Sequence, residues 1–200
     1  MSSATPDQHI AWASDPNFRY LIHSPFFAKS DGDLQNAWAE MEKVKQSGKA
    51  KSIGVSNYLQ PHLEATLATA TIPPSINQIE YHPYLQHQSL VPFHKKHNIA
   101  VAAYGPLTAA TKAKPGPCDP ILGQLAKKYY VSEAEISLRW CIDQGIVAIT
   151  TSGKEERLND YLRAMTFSMT PREVDEVSEA GQKKHFRGFW QAKFGESDRS

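Results

Sequence analysis

KSIGVSN, residues 51–57, holds the pattern from which the rest of the chain can be read. Ile53 and Val55 are β-branched and suit a strand. Ser56 and Asn57 are polar and stand where that strand ends. PHLEATLATA (61–70) follows at once with helical spacing and a proline at its start, where a missing N–H does no harm. The same unit recurs on both sides. Upstream, RYLIH (19–23) reads as a strand and 32–47 as a helix. That helix has Leu34, Ala37, Trp38, Met41 and Val44 on one face and Gly48 as its stop. Downstream, INQIEY (76–81) reads as a strand, 88–97 as a helix and IAVAAYG (99–105) as a strand. The Pro/Gly-rich loop KAKPGPCDP (112–120) breaks the rhythm. Helices over 120–129 and 132–144 follow, the second carrying Ile136, Leu138, Trp140 and Cys141. IVAITTS (146–152) is the last strand, and helices over 154–165 and 171–183 complete the pattern. Thr170 caps the last of these and Pro171 opens it. HFRGFWQAKFGESDRS (185–200) shows no period and reads as a loop-like tail.

Strands alternating with helices predict an α/β fold with a parallel sheet and right-handed crossovers. The strands are nearly continuous apolar runs, as strands covered on both faces are. No G-x-G-x-x-G follows the first strand, so the dinucleotide fingerprint of the doubly wound fold is missing. Polar residues gather instead at strand C-termini: His23, Ser56, Asn57, Gln78, Glu80, Tyr104 and Thr150 to Ser152. In a (β/α)8 barrel that rim carries the active site. Five strands are counted here, so the expectation is an incomplete (β/α)8 TIM barrel, with about five of eight strand–helix units.

Composition narrows the partners. The chain has 200 residues, with 22 basic and 21 acidic side chains and a formal net charge of +1. No basic stripe stands out, which argues against nucleic acid. No apolar run approaches about 18 residues, which argues against a membrane-spanning helix. The first 20 residues are polar, proline-punctuated and lack an apolar core, so they do not read as a secretory signal. The two cysteines, Cys118 and Cys141, are too few for a disulfide framework, and a reduced cytoplasmic chain is expected. His82, His87, His94 and His97 lack the i, i+4 spacing of a helical metal pair, so no metal is expected.

YLIHSP, GKAKSIGVSNY, PPSINQIEYHPYLQ, AVAAYGPL and VAITTSGKEERLNDYL together resemble the aldo-keto reductase family, and its fungal reductases in particular. The resemblance covers about residues 19–190, with 1–18 outside it and 191–200 as a C-terminal tail. It implies a barrel that binds NADP(H) and passes hydride between nicotinamide and a carbonyl carbon of a small aldehyde or ketone. His23 would be the catalytic histidine that orients the carbonyl. Ser56, Asn57 and Gln78 would hydrogen-bond the carboxamide, and Tyr104 would stack on the nicotinamide ring. Gly105 to Leu107 would pass the pyrophosphate. Ser152 and Arg157 would surround the 2′-phosphate, the arginine through its bidentate fork. Asp160 would lie near the adenine. Thr151 stands where many members carry a lysine, which weakens the expected preference for NADP over NAD.

The front of the chain departs from the family. There, an aspartate, the proton-donating tyrosine and a lysine precede the histidine on three strand–helix units, which need about a hundred residues. Only 22 residues precede His23 here, Tyr20 shares its strand, and no lysine comes before Lys29. The expectation is therefore an N-terminally truncated reductase, with redox activity and NADP(H) retention both in question.

Each residue also has a plain structural reading. His23 alone is a satisfied strand-end histidine, Ser56–Asn57 a helix cap, Gln78 a partner for buried backbone, Tyr104 a core aromatic and Arg157 a solvated helix charge. Two alternatives to a reductase stay open: a repurposed non-redox metabolite binder or isomerase/cyclase-type protein using His23, Glu80 and Tyr104, or an inactive fragment. Open sheet edges would favour a homodimer.

Overall fold

A computed structural model describes residues 19–195, 198 and 199. The expectation for residues 1–18 lies outside the described residues. The strands are β1 (Arg19–Ile22), β2 (Ser52–Ser56), β3 (Ile76–Glu80), β4 (Ala100–Tyr104) and β5 (Val147–Ile149). They form a five-stranded sheet in sequence order. The helices are α1 (Asp31–Gln46), α2 (Gln60–Leu67), α3 (Leu90–Lys96), α4 (Asp119–Tyr129), α5 (Glu133–Asp143), α6 (Glu155–Leu162) and α7 (Pro171–Gln182). A 3-10 turn, Arg163–Met165, continues α6. The chain divides into two compact units. The first runs to Asn77 and takes back Lys95–Ile99, and the second holds Gln78–His94 and everything from Ala100.

In the first unit β1 and β2 pair in parallel, Leu21 opposite Gly54 and Ile22 opposite Val55. Gly54 is there because of crowding. A Cβ on it would stand 2.6 Å from the Ile76 carbonyl oxygen and 2.8 Å from a Leu21 methyl. α1 starts where Ser30 and Asp33 cap each other: the Ser30 hydroxyl accepts the Asp33 N–H at 3.3 Å, and the Asp33 carboxylate accepts the Ser30 N–H at 3.0 Å. Leu34, Trp38 and Met41 are its buried face, the helical spacing expected of the sequence. The next loop is held by side chains of that face. Glu42 accepts the N–H groups of Thr71 and Ile72 at 2.7 and 2.8 Å, and the Trp38 indole donates to the Ile72 carbonyl at 2.9 Å.

In the second unit β4 and β5 pair in parallel, Tyr104 opposite Ile149. Its core holds Leu122, Leu125, Ile136, Trp140 and Val177, all fully buried. Tyr81 stacks on Trp140 with ring centroids 5.1 Å apart, and the indole N–H is shared between the Val174 carbonyl and the Ser178 hydroxyl. Truncating an aromatic so placed typically costs about 3–5 kcal/mol. β5 is shorter than expected because Thr150 to Ser152 leave the sheet, and the Ser152 hydroxyl accepts the Lys154 N–H at 3.1 Å just before α6. α6 tightens into its 3-10 turn where Arg163 reaches the buried Glu135 carboxylate at 2.9 Å. Among the described residues from Lys183 onward there is no regular helix or strand, as expected.

Glu173 fixes the start of α7. It accepts bonds from Lys128 at 2.6 Å, the Tyr129 hydroxyl at 2.7 Å, and the Thr170 N–H and hydroxyl at 2.8 Å. Burial alone would raise its pKa. Lys128, the Thr170 groups and the Tyr129 hydroxyl outweigh that and hold it down at about 2. A depressed carboxylate pKa stabilises the fold above the unfolded value, and that stability is lost as pH falls through the folded one. Urea unfolding should therefore show stability declining from about pH 4.5 toward pH 2 in the wild type. Glu173→Gln should flatten that decline and lose about 1–3 kcal/mol at pH 7. An unchanged slope in the variant would remove Glu173 from this role.

Candidate active site

The first unit brings three of the expected residues together. Ser56 ends β2 and is buried. Asn57 follows in the left-handed region at φ 61°, a conformation asparagine tolerates better than most residues. Its amide nitrogen donates to the Ser56 hydroxyl at 3.1 Å and to the His23 backbone carbonyl at 2.9 Å. That second bond ties the end of β2 to the end of β1. The residue His23 is exposed.

The second unit holds the rest. Gln78 is half-buried in β3, and strand alternation puts it on the same face as Glu80. Tyr104 closes β4. Gly105 follows at φ 66°, and a Cβ there would meet the Thr108 hydroxyl at 3.3 Å and the Phe189 ring at 3.4 Å. Tyr104, Gly105, Leu107, Thr108, Thr150 and Thr151 are among the walls of a cleft of about 390 Å³, which lies wholly within this unit. Ser152, Arg157 and Asp160 do not line it. Arg157 is exposed on α6, and the Asp160 carboxylate is engaged with Arg163 at 3.0 Å. Among the described residues no three His, Cys, Asp or Glu side chains group as metal ligands.

A buried carboxylate organises this end of the unit. Glu80 is 2% exposed. Its carboxylate accepts the backbone N–H of Gly188 at 2.7 Å and of Phe189 at 3.1 Å. His82 adds a third bond at 3.1 Å through Nε2. The Tyr84 N–H occupies His82 Nδ1 at 3.2 Å, so Nε2 carries the ring proton and donates. Burial pushes the His82 pKa down despite its bond to Glu80. His87 Nε2 donates to the Glu80 carbonyl at 2.6 Å, and burial lowers its pKa to about 4. Gly188 allows the close approach, since a Cβ there would lie 3.1 Å from the carboxylate.

The anchored tail places an aromatic ring. Phe189 meets Tyr104 edge to face, with centroids 5.2 Å apart. Burial, with the Glu80 charge adding to it, raises the Tyr104 pKa, so its phenol is neutral at ordinary pH. Arg187 is also buried, and its guanidinium lies 3.9 Å from the Phe194 ring centroid. The tail contacts were missed in the sequence, because HFRGFWQAKF has no period to assign. Glu80 stood in the rim pattern, but nothing local shows that its partners lie more than 100 residues away.

Comparison with known proteins gives a consistent result. Residues 19–182 match the model of the aldo/keto reductase family. The NADPH-dependent alpha-keto amide reductase of Saccharomyces cerevisiae is 38% identical over 185 residues, which is 88% of this chain and 59% of that protein. The NAD/NADP-dependent indole-3-acetaldehyde reductase of Schizosaccharomyces pombe is 37% identical, covering 85% of this chain and 61% of that protein. The crystal structure of a Bombyx mori aldo-keto reductase in complex with NADP superposes with a TM-score of 0.73 at 32% identity, over 81% of this chain and 56% of that one. The chain thus spans about three-fifths of the length of these curated relatives.

Glu80→Gln keeps the shape but turns an acceptor into a donor facing a backbone N–H. Amide hydrogen exchange at Gly188 and Phe189 should speed up by about tenfold or more, the equivalent of losing a charge-assisted bond. Unchanged exchange at both amides would show that another contact holds the tail.

Proposed function

This chain belongs to the aldo/keto reductase family, and we propose that it binds NADP(H) and reduces a small aldehyde or ketone. The observation that carries the proposal is the cleft at the C-terminal ends of β4 and β5. Its residues suit a dinucleotide. Tyr104 offers a neutral aromatic ring for stacking. Gly105 and the loop behind it bring backbone close to the ligand. The Thr108, Thr150 and Thr151 hydroxyls can donate to phosphate oxygens. When bound, the nicotinamide supplies the hydride.

The chain's own residues then have separate tasks. In the first unit Ser56 and Asn57 hold the end of β2 against the end of β1 and are assigned to the carboxamide; Gln78, in the second unit, has the same assignment. His23, exposed beyond β1, takes the carbonyl oxygen as a hydrogen-bond donor. Ser152 and Arg157 take the 2′-phosphate and Asp160 the adenine side. The alkoxide that hydride addition leaves takes its proton from water at the exposed His23 rather than from the buried phenols. Burial raises the pKa of Tyr58, to about 12, and likewise of Tyr81, Tyr84 and Tyr104, which makes each a poorer acid. Among the described residues no helix is long and apolar enough to cross a membrane.

Titrating the protein with NADPH, read by nicotinamide fluorescence, should give saturable binding in the micromolar range. His23→Ala should leave that binding within about threefold and lower carbonyl reduction by about 10²-fold or more. Folded protein that does not bind NADPH would overturn the reading.

Self-association through sheet edges is part of the same proposal. Val147 and Ile149 on β5 are 49% and 40% exposed, with Leu162 and Met165 exposed after them. Light scattering should give a dimer mass, and Val147→Lys should shift it toward the monomer. A wild-type monomer at high concentration would count against pairing.

A further inference from the structure

Among the described residues that line the cleft, Lys112 alone carries a charge. Its ammonium forms no ion pair with a described carboxylate. Its nitrogen lies 4.9 Å from the centroid of the Phe189 ring. That ring is fixed in turn by the Glu80 bond to the Phe189 N–H and by its edge-to-face contact with Tyr104. A flexible lysine is thereby held over a located ring, at the rim of the space that Tyr104, Gly105 and Leu107 enclose.

We propose that Lys112 is a phosphate-binding cation of the dinucleotide site, set in place by the Phe189 ring. The inference rests on the dinucleotide reading of the cleft and adds a residue to it. A phosphate needs a positive charge and several donors. The other lining groups supply donors only: backbone and threonine hydroxyls. Thr151 is neutral, and Arg157 lies outside the cleft lining on exposed α6. Lys112 supplies the missing charge from the opposite wall, the loop after β4. An ammonium is a compact point charge with rotatable donors, so it can leave the aromatic face for a phosphate oxygen without rebuilding the loop. Two phosphate groups of NADPH share this chemistry, the pyrophosphate and the 2′-phosphate.

The test is Lys112→Gln, with Lys112→Arg beside it, titrated with NADPH and with NADH. Lys112 is exposed, so both variants should fold as the wild type does. The Kd of Lys112→Gln for NADPH should rise about tenfold or more, with Lys112→Arg recovering most of the loss. The dependence of Kd on salt should also become shallower in Lys112→Gln. Equal weakening of NADPH and NADH assigns the pyrophosphate, and weakening of NADPH alone assigns the 2′-phosphate. Phe189→Leu, which keeps the lysine and removes the aromatic face, should fall between wild type and Lys112→Gln. Wild type that binds while Lys112→Gln binds both nucleotides equally well would overturn the proposal and leave the dinucleotide reading intact. Wild type that binds neither nucleotide overturns both.

Discussion

A buried negative charge is costly unless hydrogen bonds replace its lost water, and the second unit is built around one that is satisfied. Glu80 accepts two backbone N–H groups from a tail more than 100 residues away and a third bond from His82. Those bonds do more than remove a penalty. They give an otherwise irregular segment a fixed register, because Gly188 and Phe189 must present their N–H groups to the same carboxylate. Once Phe189 is fixed, so are its contact with Tyr104 and the aromatic face beneath Lys112. One strand residue therefore positions an aromatic pair and a cation that belong to three different segments. Removing the carboxylate would leave Phe189 and Lys112 each on its own loop, with rotamer freedom to lose again on binding.

Charge is distributed accordingly. Inside, histidines and phenols are kept neutral: burial lowers the pKa of His82, His87 and His94 and raises that of Tyr81, Tyr84 and Tyr104. These groups act through fixed hydrogen bonds and ring faces rather than by exchanging protons near neutral pH. Mobile charge lies at the surface, on Lys112 at the cleft and on Arg157 of exposed α6, where water screens it. This division suits recognition of an anionic cofactor better than acid–base chemistry by the same residues.

The strand–helix alternation was legible because each unit carries its own punctuation. Ile53 and Val55 mark a strand, the Leu34-Trp38-Met41 spacing marks a helix face, and Thr170 caps its helix as its sequence suggests, whereas the Ser30 and Ser132 caps were not read there. Ends were less legible: nothing in IVAITTS says that the sheet stops at Ile149 rather than at Ser152, whose hydroxyl instead accepts the Lys154 N–H. At the candidate site, Tyr104, Gly105 and Leu107 line one cleft. Asn57 links the ends of two strands, which no local pattern encodes. Lys112 was read as part of a proline-rich loop, since an exposed lysine in such a loop ordinarily signals only solvation.

The loop that carries Lys112 is well braced for a functional lysine. Its turns close on themselves: the Ala113 N–H donates to the Thr108 carbonyl at 2.9 Å, and the Thr111 hydroxyl donates to the Leu107 carbonyl at 2.7 Å. Lys184, from the tail, donates to the Ala113 carbonyl and to the Pro115 carbonyl, fastening the far end. The backbone under Lys112 is thus fixed on both sides, and only the side chain must be ordered by a ligand. Part of that ordering is already done by the Phe189 face. Pre-organisation of this kind raises affinity by lowering the entropy lost on binding rather than by adding contacts. A lysine at position 151 would sit on the segment that leaves β5 for α6, whose side chains are almost all exposed and whose helix buries no residue. A cation there would have to be ordered by the phosphate alone. Placing the charge on the braced loop instead lets a neutral Thr151 close the cleft while the tail, through Glu80 and Phe189, holds the cation ready.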